Sequence, residues 1–189
     1  MGISTHPERR PLLVIGLGNE LLADDGVGIH VVRHLKERLS RDDLAFEELS
    51  VGGLQLLDYL AGYERCILVD AVVTGASPAG TIHRFVQHAG GESLRLSSSH
   101  HVDLSEVLAL GTMLGADLPE TVLVYGIEAG DTTTFSETCT DQVRKAIPRL
   151  VDLICRDIQE NKRGCKNKTV LATESTARDH RGNWEIINH

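Results

Sequence analysis

Two hydrophobic periods take turns along this chain, and that alternation limits its possible folds more than any other feature. Pro11 to Ile15 is a short apolar run that stops at Gly16, the pattern of a strand buried on both faces. From Val27 the period lengthens. Val27, Val31, Leu35 and Leu39 recur every four residues, with Val32 beside them and Arg33, Lys36, Glu37 and Arg38 elsewhere, which predicts an amphipathic helix. The exchange then repeats: a strand over Ala45 to Leu49, a short helix over Gly53 to Leu60, and a strong strand over Cys66 to Val72. Gly80 to Val86 alternates like a more exposed strand, Leu104 to Leu114 reads as a helix, and Thr121 to Ile127 is again an apolar strand. Val143, Ile147, Leu150, Val151, Ile154 and Ile158 mark a last long helix, where Pro148 is expected to bend the axis or sit near a boundary.

Strand and helix in alternation predict an α/β fold, with helices on both faces of a sheet of about five or six strands. At 189 residues the chain suffices for one buried core and is short for two, so a single domain is expected over residues 11–159. From Glu160 onward the composition turns polar and loses its period. This segment, residues 160–189, carries six Lys or Arg against four Asp or Glu and is read as a tail with disorder as its default. Trp184, Ile186 and Ile187 are the residues in it able to dock on the body.

Charge and cysteine usage remove whole function classes. The formal net charge is -8 and the sequence pI is near 5.5, which opposes general nucleic-acid binding because such proteins need a basic surface to displace the counterions of phosphate. The apolar stretch after Arg9 and Arg10 breaks at Gly16, Gly18, Asn19 and Glu20, well short of a membrane span, and no secretion signal follows it. Cys66, Cys139, Cys155 and Cys165 form no C-x-x-C pair, so a reduced, cytoplasmic protein without structural zinc is the expectation.

Ligands in an open α/β sheet collect beyond the carboxyl ends of the strands, and three polar segments fall there. The first runs from Gly16 to Gly28. It has Gly16 and Gly18, but the third glycine of G-x-G-x-x-G is replaced by Leu21, and Glu20, Asp24 and Asp25 would repel a phosphate. A cation suits it better, although either Asp24 or Asp25 also suits a helix N-cap. The second is Asp70 at the mouth of the Cys66–Val69 run, where a buried carboxylate needs a cation, a metal or several N–H donors; fixing the Ala71–Gly80 loop is the structural alternative. The third is Ser97 to Asp103, in which His100 and His101 read as solvated loop residues when taken alone and Asp103 as a cap. Two carboxylates and an imidazole from three loops at one sheet edge together make a partial shell for a divalent transition metal. H-E-x-x-H, G-x-S-x-G and a glycine-rich loop ending in Lys-Ser or Lys-Thr are all absent from the sequence.

The segment Gly16-x-Gly18-Asn19-x-Leu21-Leu22-x-Asp24-Asp25-Gly26-x-Gly28, the strand end Val69-Asp70-Ala71, and His100 followed by an apolar helix together resemble the three signature blocks of nickel-iron hydrogenase maturation endopeptidases. The resemblance runs from about Leu12 to Leu153. It implies a three-layer αβα sandwich with a mostly parallel sheet, and a metal-contacting trio at Asp25, Asp70 and His100, with Asp25 and Asp70 as catalytic carboxylates of an aspartyl-type endopeptidase. It also implies that the nickel arrives with the substrate, a hydrogenase large-subunit precursor whose C-terminal extension is removed. No organic cofactor, nucleic-acid partner or membrane is expected, and a monomer is. Either a carboxylate or the metal as Lewis acid then activates the water. One departure is the loop after the second strand: Glu47 to Gly53 keeps the glycines of a D-G-x-T-like turn and lacks its Asp, which leaves the partner hydrogenase open. The rivals are a peptidyl-tRNA hydrolase, whose first strand reads alike but which would want Pro-Gly soon after Asn19, and a non-catalytic metal- or nucleotide-binding accessory module.

Overall fold

The computed structural model describes residues 11–50, 52–88, 104–119, 121–164 and 185–187. Its elements follow the two periods closely. The strands are β1 (Leu12–Leu17), β2 (Leu44–Leu49), β3 (Cys66–Val72), β4 (Ile82–His88), β5 (Thr121–Glu128) and β6 (Glu185–Ile187). The helices are α1 (Val27–Arg38), α2 (Leu56–Leu60), α3 (Leu104–Met113) and α4 (Asp141–Gly164), with 3-10 turns at Ala23–Gly26 and Gly53–Gln55.

The six strands form one sheet in the order β2-β1-β3-β5-β4-β6. β1 pairs in parallel with β2 and β3, and β3 with β5, while β4 runs antiparallel to β5 and to β6. Every residue of β1 and β3 is buried, the reason their sequences read as apolar runs, broken in β3 only by Asp70, rather than as alternations. Side chains leave a strand on alternate faces. Leu12, Val14, Ile67 and Val69 therefore join the core beneath α1 and α4, whereas Leu13, Ile15, Leu17, Cys66 and Leu68 join the one beneath α2 and α3. Two cores, one on each face of one sheet, make the three-layer sandwich.

α4 buries Val143, Ile147, Leu150, Val151, Ile154 and Ile158 along one stripe. Pro148 lies inside this helix and not at its boundary; it occupies the exposed face, where its missing N–H removes one bond without disturbing the core. The expected tail differs in two places. α4 continues to Gly164, and Glu185–Ile187 adds an edge strand, with Ile82 opposite Ile187 and Arg84 opposite Glu185. Ladder bonding to an unfilled sheet edge explains the strand. Trp184 lies outside the described residues.

The topology also sets two edges apart. α3 ends at the amino edge, where Asp117 O in the following loop accepts a hydrogen bond from Gly62 N, just before β3. A ten-residue helix is about 15 Å long, so its first residue, Leu104, lies toward the carboxyl edge.

Candidate active site at the carboxyl edge

Glycine is required where α1 meets the sheet. A Cβ on Gly28 would stand 2.3 Å from the carbonyl oxygen of Leu17 and 2.4 Å from that of Val69, far inside any tolerable contact. The first turn of α1 is thus set directly on the ends of β1 and β3. Asp25 lies three residues before Gly28, and Asp70 follows Val69, so this close approach delivers both carboxylates to one edge. Both are buried, at 1% and 2% exposure. Asp25 Oδ2 accepts a 2.9 Å hydrogen bond from Asn19 N, and Asp70 Oδ1 accepts one of 2.8 Å from Ala71 N. Each carboxylate has further interactions. His100, together with His101 and Asp103, lies outside the described residues.

Asp24 does a different job from its neighbour. Its Oδ2 accepts hydrogen bonds from Gly130 N (2.8 Å), Asp131 N (3.0 Å) and Thr140 Oγ1 (2.9 Å), and its Oδ1 one from Thr140 N (2.6 Å). It staples the loop after β5 to the loop after β1. The helix-cap alternative is not what the structure uses: neither the 3-10 turn at Ala23 nor α1 has a side-chain cap bond. The chain is strained at this point, with Ala23 at a φ of +43°, a left-handed conformation costly for a residue with a Cβ. Backbone bonds hold it there, from Ala23 N to Ser136 O (2.8 Å) and from Asp24 N to Asp131 O (2.9 Å). Cys139 Sγ rests 3.6 Å from Ala23 O. Burial, with the Asp24 charge beside it, pushes the Cys139 thiol up to about 11, so this cysteine is a packing residue and no nucleophile.

Sequence reasoning missed a second carboxylate staple. Glu128, buried at the end of β5, accepts from Thr74 N (2.8 Å) and Gly75 N (3.0 Å) on Oε1, and from Thr74 Oγ1 (2.7 Å) on Oε2. His83 Nε2 lies 3.1 Å from that same Oε2. A carboxylate oxygen accepts, so Nε2 is the donor of this contact. Asp70 and His83 both stand opposite Gly126 in the sheet register. They therefore share the α2/α3 face two strand spacings apart, about 10 Å. The signal was present in GTIHRFV, where His83 has the inward parity of Phe85, but an inward histidine on an apolar face reads first as core. No group of three or more His, Cys, Asp or Glu able to hold a metal is present among the described residues.

Comparison with known proteins places the chain in a family. The family model described as "Hydrogenase maturation protease" matches residues 29–157, more than half of the chain. The chain belongs to the hydrogenase maturation protease family. It is accordingly a hydrolase of peptide bonds, and the peptidyl-tRNA hydrolase reading falls. Among curated relatives, the hydrogenase expression/formation protein HupD of Bradyrhizobium diazoefficiens is 27% identical over 164 residues, 82% of each chain. The coenzyme F420 hydrogenase subunit delta of Methanothermobacter thermautotrophicus is 30% identical, over 82% of this chain and 99% of its own. Among solved structures, the hydrogenase maturating endopeptidase HybD of Escherichia coli superposes with a TM-score of 0.68 at 23% identity, covering 80% of this chain and 93% of that one; it supports the fold. The matched range of the family model opens at residue 29, after the glycine turn, so the assignment does not lean on Asp25.

Proposed function

We propose that this protease removes the C-terminal extension of a nickel-loaded hydrogenase large-subunit precursor, with Asp25, Asp70 and His100 approaching the nickel that the precursor carries. What supports this most is the delivery of Asp25 and Asp70 to one edge from separate elements, both buried and both next to the contact that Gly28 makes with β1 and β3. Oxygen donors suit a borderline divalent cation, and the acidic surroundings favour a cationic centre. His100 belongs to the reading through sequence alone: it stands four residues before Leu104, where α3 begins.

Hydrolysis consumes one water and converts the peptide bond into a carboxylate and an amine. Asp25 and Asp70 are the carboxylates that this edge offers to take the proton of that water, the aspartyl-type role. The nickel is cargo of the substrate, and metal loading of the precursor positions the scissile bond. In the reduced cytoplasm, where a chain without a C-x-x-C pair would work, no further cofactor is required. No helix among the described residues is long and apolar enough to cross a membrane. The chain acts as a monomer.

The test is to incubate the protein with nickel-loaded and nickel-free precursor and follow the mass of the C-terminal fragment. Cleavage only of the loaded form, abolished in Asp25→Ala, is expected; cutting indifferent to nickel, or surviving that substitution, ends the proposal.

A further inference from the structure

Phe135 is 84% exposed, although it does not sit in a slack loop. Asp131 Oδ1 accepts from Thr133 N, Thr133 Oγ1 and Thr134 N, and Ser136 Oγ accepts from Thr138 N. Asp24 fastens both ends of the segment through Gly130, Asp131 and Thr140. Ser136 N also donates to Leu21 O at 3.0 Å, beside an isolated parallel bridge between Leu22 and Ser136. That bridge sets Leu21, itself 49% exposed, alongside Phe135. Two large apolar side chains, neighbours in register across a backbone bridge on a hydrogen-bonded loop, suit a recognition surface, since exposed apolar area that is held in place favours a partner covering it.

The position and charge of the pair say what covers it. Leu21 precedes the Ala23–Gly26 turn that carries Asp25, so the anchor borders the candidate active site through the loop between β1 and α1 that both share. Residues 19–26 and 129–140 contain five carboxylates, Glu20, Asp24, Asp25, Asp131 and Glu137, and no Lys or Arg. Arg33 of α1 pairs with Glu20 at 2.6 Å, while Glu137 is exposed next to the anchor.

We infer that Phe135 and Leu21 form a docking anchor for the polypeptide substrate, taking an apolar side chain of the precursor that is flanked by basic residues. This rests on the proposed function and adds to it a substrate contact outside the metal-approaching trio. An exposed aromatic anchor contributes binding that is equal in ground and transition states, so its loss raises KM and leaves kcat in place.

The experiment uses immobilised nickel-loaded large-subunit precursor as the probe, with the wild type, Phe135→Ser, Phe135→Trp and Glu137→Lys each titrated onto it and each assayed for cleavage. Phe135→Ser should weaken binding and raise KM about tenfold or more with kcat within about twofold, at an unchanged unfolding temperature. Phe135→Trp should restore both, because a larger aromatic refills the contact. Glu137→Lys should weaken binding severalfold at low salt and less at high salt. Affinity and KM of Phe135→Ser equal to wild type overturn the anchor, and an unaffected Glu137→Lys overturns the basic flank. A wild type that binds but does not cut ends the cleavage reading alone, since weaker binding by Phe135→Ser would still support the anchor. A wild type that does not bind overturns both.

Discussion

The two edges of the sheet are built from the same strands and treat charge in opposite ways. At the amino edge the connections close with backbone bonds, Leu13 N to Arg65 O and Gly62 N to Asp117 O, around the buried ring of Tyr63. At the carboxyl edge stand Asp24, Asp25, Asp70 and Glu128, all of the buried carboxylates among the described residues. Taking a carboxylate out of water costs several kcal/mol unless donors surround it. Asp24 and Glu128 meet that cost with several donors each, from Gly130, Asp131 and Thr140 and from Thr74 and Gly75.

At the carboxyl edge Asp24 and Glu128 staple loops, whereas Asp25 and Asp70 are the acids proposed to react, and substitutions separate the two roles. The largest effect is expected from Asp25→Asn or Asp70→Asn. Each should lower precursor cleavage by about a hundredfold or more, in line with loss of a general base, while thermal unfolding moves little. Equal losses of activity and stability would erase the distinction. Asp24→Ala should do the reverse at first cause: it strands the donors of Gly130, Asp131 and Thr140, costing about 3 kcal/mol of stability, read as a lowered denaturant midpoint. A stable Asp24→Ala would mean the loop has another fastening.

Glycines at the two edges sharpen the contrast. Gly28→Ala at the carboxyl edge meets two carbonyl oxygens and should cost about 3 kcal/mol, at the upper end for overpacking. Gly62→Ala at the amino edge meets nothing within 4 Å and is strained only by its φ of +81°, a cost of about 1 kcal/mol. The smallest effect concerns pH. Hydrogen bonds from Thr134 and Thr133 hold the Asp131 carboxyl below its ordinary range. A depressed folded pKa stabilises above the unfolded value, near 4, and the benefit disappears as pH falls through the folded one. The stability gap between wild type and Asp131→Asn, followed by urea unfolding, should be full at neutral pH and close below about pH 4.

Much of this was legible in order of residues. β3 spans the predicted Cys66–Val72 strand, because a strand buried on both faces is apolar at nearly every position, and the α4 stripe follows its period. Asp70 stood out for the same reason: a charge closing an apolar run is a local anomaly. The family resemblance singled out Asp25, but the staple that Asp24 makes was not legible. Two adjacent acids in a turn look alike until the loop after β5 returns, more than a hundred positions later, and claims one of them. His83 and Glu128 escaped for a related reason, since each sits unremarkably in its own strand and only the β4–β5 pairing joins them.

By itself, the sequence determined the two hydrophobic periods, hence the alternation of strand and helix and the burial of a parallel sheet on both faces, because these depend on neighbours within one turn or one pleat. Only the tertiary structure decided which acids are stapled and that Glu185–Ile187 closes the sheet beside β4. Those outcomes depend on donors and ladder partners supplied from distant segments, and a residue's own surroundings in the chain carry no record of them.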